Sequence, residues 1–437
     1  MTKSVKIGLA GFGTVGGGTF AVLERNRNEI ERRAGSPIEV KTVVCRNLER
    51  ARATVGAAVN VCGDWHAIVD DPEIEIAVEV MGGIEPAKSY ILAAIQAGKH
   101  VVTANKALLA LHGNEIFAAA EKKGVIVGFE ASVAGGVPII KALREALAAN
   151  RIEYVAGIIN GTSNFILSTM REKGASFDEV LAQAQALGYA EADPTFDIEG
   201  NDAAHKLTLL SSIAFGTPIN YGAATVEGIT KLTAEDIRYA EDFGYRIKLL
   251  GITKRTDQGV ELRVHPTLVP KRRLIANVEG VMNAVLVKGD AVGHTLYYGR
   301  GAGAEPTASA VVADLVDVTR MLGADAEHQV PFLGFHTPNT KENVWLPMSE
   351  TVSSYYLRIG VDDKPGVLAD VARVFAENAI SIEAMVQREA CKGDSTTDVV
   401  ILTHAAIEGN VTRAIDAIEE LESVRGKVVM LRKEELN

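Results

Sequence analysis

Val5-Lys-Ile-Gly-Leu-Ala10 runs into Gly11-Phe12-Gly13-Thr14-Val15-Gly16, and the apolar residues Phe20, Val22 and Leu23 follow at helical spacing. An apolar run, a G-x-G-x-x-G motif and a helical pattern in direct succession form the dinucleotide fingerprint in the context it requires. Gly11 makes the tight turn, Gly13 lets the backbone approach a pyrophosphate, and Gly16 lets helix and strand pack closely. Phe12, Thr14 and Val15 complete the turn. The helix behind it offers free N–H groups and the positive end of its dipole to phosphate. The start of the chain therefore predicts a Rossmann domain.

Further apolar segments at 38–44, 74–80, 100–102 and 125–129 are separated by helical patterns. That alternation predicts an α/β fold with a parallel, doubly wound sheet and ligands at the carboxyl ends of its strands. The second segment ends in Cys45-Arg46-Asn47, where an NAD-preferring domain places an acidic residue for the ribose 2′-hydroxyl. Arg46, with Arg50 and Arg52 behind it, suits a 2′-phosphate bidentately. NADP(H) is favoured and NAD(H) stays open; the plainer alternative is that these arginines solvate a helix start. Gly82-Gly83 and Thr103-Ala-Asn-Lys106 also fall at strand ends. Thr103 and Lys106 are thereby placed toward the nicotinamide end of a cofactor or the substrate. A helix start disfavours lysine through its dipole, so a mere surface role for Lys106 is the weaker reading.

At 437 residues the chain has room for two or three domains, and 47% hydrophobic with 23% charged residues describes a soluble globular protein. A formal charge of −11 argues against a general nucleic-acid or acidic-membrane surface. Cys45, Cys62 and Cys391 fit no metal or disulfide framework, which suits a reduced cytoplasm. No signal peptide is expected, and no apolar run reaches the roughly 18 residues of a membrane span.

A second stretch carries chemistry: Gly188-Tyr-Ala-Glu-Ala-Asp-Pro-Thr-Phe-Asp-Ile-Glu-Gly-Asn-Asp-Ala-Ala-His-Lys206. Residues 191–200 read as a loop bearing Glu191 and Asp197, and a helix begins near Asp202 after Gly200 or Asn201. Asp202 and Lys206 share a face of that helix. Taken alone they form a solvated ion pair; the fingerprint upstream and Lys106 favour a reactive site. Residues 128–138 form a glycine-rich turn with one carboxylate, Glu130, followed by Pro138 at the start of a helix over 139–147. Exposed carbonyls with one Glu suit a hard cation, although spacing alone does not establish a metal. Asn160-Gly-Thr-Ser-Asn164 either closes over the ligands or simply caps the next helix. Residues 260–269 and 284–289 read as strands of an open sheet. The glycine-rich loop 299–307 leads into a helix of small residues suited to packing back on the nucleotide domain, where Gly303 would let the backbone approach the cofactor.

Over residues 5–320 these features resemble the homoserine dehydrogenase family. The run from Ala184 to Lys206 fits that family's signature in Ala184, Gly188, the Asp193-Pro194 pair, Asp197, Gly200, Asp202 and Lys206. The segments 11–16, 103–106, 130–138, 160–164 and 299–307 resemble it in the same order. The resemblance implies reduction of L-aspartate 4-semialdehyde to L-homoserine with NADPH or NADH, in the pathway to threonine, methionine and isoleucine. It implies Lys206 as general acid, Asp202 as orienting and substrate-binding group, and Lys106 as the lysine that holds the substrate and polarises it. Glu191 would bind the substrate's α-ammonium with Asp197 in support, and Gly188 would meet the cofactor. Glu130 and the carbonyls of Val133, Gly135 and Val137 would hold a monovalent cation, sodium. A lysine acid works well only with a lowered pKa; desolvation or Lys106 would lower it, and Asp202 alone would raise it.

Beyond a proline-bearing connection at 331–350, strands and helices alternate as β-α-β-β-α-β, a ferredoxin-like order. The Asp363-Lys-Pro-Gly-Val-Leu turn and Glu377-Asn378-Ala-Ile-Ser-Ile resemble an ACT domain, a module that binds amino acids at paired interfaces. Feedback inhibition by L-threonine is expected, with Asn378 and the 363–367 turn near the ligand; the alternative is a module that only assembles subunits. The expected organisation is a Rossmann domain over 1–130, completed by about 305–330, and an α+β catalytic and dimerisation domain with an open mixed sheet over 131–304. The connection and an ACT domain over 351–437 follow, in a homodimer or homotetramer. Two rival functions are a non-catalytic sensor of nucleotide and amino acid, and a dehydrogenase of another amino-acid aldehyde.

Overall fold

The computed structural model describes residues 3–323, 329–336, 342–387 and 395–437. Cys391 and parts of the 305–330 and 331–350 stretches lie outside the described residues. The chain divides into two compact units: residues 1–161, 202–224 and 281–343 form the first, and 162–201, 225–280 and 344–437 the second.

In the first unit β1 (Val5–Ala10), β2 (Ile38–Val44), β3 (Asn60–Cys62), β4 (Ile74–Glu79), β5 (His100–Thr103) and β6 (Val127–Gly128) form one sheet, ordered β3-β2-β1-β4-β5-β6. All five pairings are parallel. This is the Rossmann order, with its topological switch at the carboxyl ends of β1 and β4. Both faces are covered, so the strands read as nearly continuous apolar runs: Ile7, Leu9, Val43, Ile76, Val78 and Val102 are fully buried. Gly11 sits at φ 104°, and a Cβ there would stand 2.4 Å from the Val80 carbonyl oxygen. Gly13 faces open space and precedes the helix Thr14–Arg25 with no side-chain cap. The helix Ala304–Met321 packs on Thr14–Arg25 at Gly18, where a Cβ would meet the Ala304 carbonyl oxygen at 2.6 Å.

Antiparallel strands Ile152–Ile158, Met282–Gly289 and Gly293–Arg300 also belong to this unit. So does most of the helix Asn201–Phe215, in which every residue from Asp202 onward is buried. Ala203, Ala204, Ser211 and Ser212 interleave with Leu207, Leu210 and Ile213, so no broad polar face remains for water. The Asp202–Lys206 pair is therefore interior.

Two local expectations give way. Residues 191–200 contain a short helix, Thr195–Ile198, started by Pro194 and by Asp193, whose carboxylate accepts the Thr195 N–H at 3.1 Å. The segment after Pro138 is α-helical only over Ile139–Lys141 and then widens to a π-turn over Ala142–Ala146, closed by the Leu147 N–H on the Ala142 carbonyl at 2.8 Å.

In the second unit Tyr245–Arg255 and Val260–Pro270 form a long antiparallel pair. The C-terminal elements are Val352–Asp362, helix Val367–Glu377, Ile382–Gln387, Thr396–Thr403, helix Glu408–Glu419 and Val424–Lys433. Their strands stand in the order fourth, first, third, second, as in a ferredoxin-like sheet. Val371, Phe375, Val411, Ala414 and Ile418 of the two helices are buried in its core. The module is not detached: its last strand pairs in parallel with Val260–Pro270, Thr267 opposite Arg432 and Leu268 opposite Lys433. No described helix is long and apolar enough to cross a membrane.

Candidate active site

Asn105 caps the helix Lys106–Lys123 by accepting the Leu108 N–H at 3.1 Å, which makes Lys106 the first helical residue after β5. Its Nζ stands 3.0 Å from Asp202 Oδ1. Lys206, one turn beyond Asp202, brings its Nζ to Oδ2 of the same carboxylate at 2.6 Å. Lys206 also donates to the Ile159 carbonyl at 2.8 Å, and the Asn160 amide donates to Asp202 Oδ2 at 2.8 Å. One carboxylate thus serves two ammonium groups. The Lys106 side chain is 33% exposed and that of Lys206 only 10%, so Lys106 is the more accessible of the two. Burial alone would raise the Asp202 pKa; Lys206 and Lys106 outweigh it and hold the carboxyl well below its usual range. His205, in the same helix, lies edge-on to Tyr221 with ring centroids 4.4 Å apart, and burial lowers its pKa.

Glu79 is not among the residues the motifs pick out, yet it ties this corner together. It ends β4 fully buried. One oxygen accepts the N–H groups of Met81 at 2.8 Å and Gly82 at 3.1 Å, and the other accepts the Thr103 hydroxyl at 2.6 Å. Thr103 Oγ1 in turn accepts the Asn105 N–H at 3.0 Å, and the Asn105 amide donates to the Gly83 carbonyl at 2.7 Å. The Gly82-Gly83 turn, the end of β5 and the start of the Lys106 helix are one network, and burial pushes the Glu79 pKa up. The available signal was a single acidic residue closing an otherwise apolar strand end.

Arg46 is exposed just beyond β2, and Asn47 caps the next helix by accepting the Arg50 N–H at 3.1 Å. Gly16 leaves no room for a side chain, with the Gly11 carbonyl oxygen 2.1 Å from where a Cβ would stand. Gly303, at φ 122°, precedes the helix Ala304–Met321. In the second unit Gly188 takes φ 73°, and Glu191 is exposed, its carbonyl accepting from the Gln185 amide at 3.1 Å. Asp197 Oδ2 is 3.1 Å from the Thr162 hydroxyl, which also reaches the Tyr189 carbonyl at 2.7 Å. The Ser163 hydroxyl donates to the Asp197 carbonyl at 3.1 Å. Thr162 and Ser163, from the 160–164 segment, thus open a helix and brace the loop that carries Asp197.

Glu130 is buried, and its two oxygens accept the N–H groups of Ile140 at 3.0 Å and Lys141 at 2.8 Å. Burial and then the Asp314 charge push its pKa up to about 7. Ala134 at φ 52° and Gly135 at φ 31° turn the backbone tightly, and the Val137 carbonyl accepts the Ile139 N–H at 2.8 Å. Among the described residues no three or more His, Cys, Asp or Glu gather as metal ligands. The donors Glu130, Val133, Gly135 and Val137 offer are all oxygen, a chemistry that fits a hard cation. A cavity of about 560 Å³ beside Phe117, Pro218, Phe332 and Phe335 holds none of these charged groups, so concavity alone does not mark the site.

A Rossmann sheet with a lysine–aspartate–lysine cluster after its β5, and a ferredoxin-like module further along the chain, defines an oxidoreductase with a nicotinamide-nucleotide domain. Family profiles agree: "Homoserine dehydrogenase, NAD binding domain" matches residues 11–130, "Homoserine dehydrogenase" residues 138–316 and "ACT domain" residues 355–422. The chain belongs to the homoserine dehydrogenase family. It is 58% identical over 435 residues to the homoserine dehydrogenase of Pseudomonas aeruginosa and 56% to that of Neisseria gonorrhoeae, each alignment covering 100% of both chains. Its fold matches the crystal structure of a homoserine dehydrogenase from Thiobacillus denitrificans with a TM-score of 0.95 and 61% identity, over 100% of this chain and 99% of that one. A hyperthermophilic archaeal homoserine dehydrogenase in complex with NADPH matches at TM-score 0.61 and 26% identity, over 72% of this chain and 98% of that one.

Proposed function

We propose that this enzyme interconverts L-aspartate 4-semialdehyde and L-homoserine on the route to threonine, methionine and isoleucine, with Lys206 as proton donor. The observation that carries the reading is the buried Asp202 carboxylate shared by Lys106 and Lys206. A nicotinamide dinucleotide, when bound, would supply the hydride that the carbonyl carbon takes up. Lys206 gives its proton to the carbonyl oxygen as the new C–H bond forms, and recovers it from the hydroxyl in the oxidative direction. Asp202 and the Ile159 carbonyl fix the direction of its Nζ. Lys106, the more exposed lysine, holds the substrate and polarises it, and Asp202 meets the substrate as well. Glu191 binds the α-ammonium, with Asp197 in support.

Residues 11–16, Arg46, Thr103, Lys106, Gly188 and Gly303 bind the cofactor. An arginine where an acid would select NAD, and an archaeal relative described with NADPH, support NADP(H), with NAD(H) as a possible second cofactor. Glu130 with the carbonyls of Val133, Gly135 and Val137 holds sodium as a structural ion. Residues 1–130 with about 305–330 act as the nucleotide domain, 131–304 as the catalytic and dimerisation domain, and 331–350 as the connection. The ACT domain, over 351–437, takes L-threonine as feedback inhibitor near the 363–367 turn and Asn378. The working form is a cytoplasmic homodimer or homotetramer.

The test is purified protein with L-homoserine and NADP⁺, then NAD⁺, at alkaline pH, followed by the absorbance of the reduced cofactor. No signal with either overturns the reading in favour of a sensor or of another aldehyde as substrate. For regulation, L-threonine is titrated into the full chain and into Asn378→Ala. Turnover that ignores threonine in both proteins refutes the inhibitory role. Deleting residues from about 350 is a poor substitute, because it strips the parallel neighbour from Val260–Pro270.

A further inference from the structure

We propose that Arg432, in the last strand of the C-terminal module, is a positioning residue for the loop of residues 188–200 and acts through Glu227; this rests on the reading of that loop as substrate-binding. Arg432 is 2% exposed. Its Nη1 and Nη2 donate to the two oxygens of Glu227 at 2.9 and 2.7 Å, a bidentate fork. Its Nε donates to Glu408 Oε2 at 2.6 Å, and Nη2 also pairs with Glu408 Oε1. Glu408 is itself anchored, its N–H donating to the Thr351 carbonyl at 2.9 Å. The guanidinium is therefore fixed from the module side and grips Glu227 from there. Glu227 keeps 44% of its side chain exposed, so burial alone does not hold it. A lysine at 432 could not engage both carboxylates in this planar geometry.

From Glu227 the grip passes straight to the loop. Ile229 donates its N–H to the Ile198 carbonyl at 2.8 Å, and the Thr230 hydroxyl donates to Glu199 Oε1 at 2.9 Å. Gly228 lies so close that a Cβ there would stand 2.5 Å from both the Ile198 carbonyl oxygen and Glu199 Oε2. Ile198 ends the short helix that carries Asp197, and Glu199 lies three residues before Asp202. Residues 227–230 thus form a strap between a C-terminal arginine and the end of the loop. One carboxylate separates the strap from the module.

Steady-state kinetics on the full-length enzyme, in the L-homoserine to aldehyde direction, test this with two variants. Glu227→Gln removes the fork's charge while Arg432 keeps Glu408, and Arg432→Lys keeps a charge without the fork. In both, KM for L-homoserine rises about five- to tenfold while KM for NADP⁺ and Tm stay near wild type, because the loop shifts without unfolding. The double variant is no worse than the worse single one, since both act through one contact. An unchanged KM for L-homoserine in Glu227→Gln overturns the proposal. So does a rise in both KM values together with a fall in Tm, the mark of general structural support. A wild type that does not oxidise L-homoserine sinks the functional reading itself; a wild type that does, with variants that match it, sinks only the role of Arg432.

Discussion

The lysine cluster of the first unit and the arginine networks of the second both bury charge, but they balance it in opposite ways. In the first, two ammonium groups share the Asp202 carboxylate, and one of them stays a third exposed. In three arginine networks of the second, one guanidinium meets two carboxylates: Arg432 has Glu227 and Glu408, Arg263 has Glu261 and Glu434, and Arg358 has Asp236 and Asp398. An arginine keeps its proton at any working pH, whereas a lysine can give one up. Buried charge therefore does not by itself mark a catalytic centre. The useful distinction is an exchangeable proton beside an accessible side.

The largest effect expected from this contrast is at Lys206. Lys206→Ala should cut turnover by about 10²- to 10⁴-fold, the worth of a positioned general acid. Binding of NADPH, followed by its fluorescence, should change little. Lys206→Arg sharpens the point, because it retains a charge beside Asp202 but supplies no transferable proton; its turnover should fall as far. An arginine variant that works would erase the difference drawn between the two regions. On the other side, Arg432→Met leaves Glu408 buried without its cation and should cost about 3–5 kcal/mol of unfolding free energy, read from the denaturant midpoint. A loss below about 1 kcal/mol would mean that this network behaves like exposed pairs.

How far the sequence discloses these two regions follows from how local their signals are. The Rossmann half is legible because β1, the glycine turn and the first helix are contiguous, and Gly11, with its positive φ and its contact on Val80, admits no side chain. Lys106, Asp202 and Lys206 are legible from a strand end and an i,i+4 spacing. Their burial is not, since it depends on what surrounds Asn201–Phe215 in space. Glu79 escapes because the Met81 and Gly82 donors to its carboxylate are main-chain N–H groups, which carry no sequence mark. The arginine networks escape for another reason. Glu261, Arg263 and His265 alternate along Val260–Pro270 like the wet face of a two-sided strand, yet all three are buried. Arg263 meets Glu434, which lies 171 residues away. No local pattern encodes a contact at that separation.

The smallest effect concerns a lysine that fits neither pattern. Lys248 is 2% exposed and donates to Asn164 Oδ1 at 3.2 Å and to the Val278 carbonyl at 2.5 Å, with Glu279 at 3.5 Å. Burial lowers its pKa to about 8 from the 10.5 of a free lysine, against the opposing pull of Glu279. Between those values the folded chain has released the proton and the unfolded chain still holds it, so the unfolded state binds more protons and stability rises with pH. The gain at Lys248 should reach at most about 3 kcal/mol by pH 10.5 and be absent below pH 8. Lys248→Met lacks it. Wild type should therefore gain on the variant between pH 7 and pH 10 in urea midpoints, and an equal gap at both pH values would refute the assignment. Lys248 also limits the contrast drawn above: its proton is readily lost, but it sits 2% exposed among Asn164, Val278 and Glu279. A mobile proton becomes catalytic only where a ligand can reach it, and at the Asp202 carboxylate it is the Lys106 side chain that stays a third exposed.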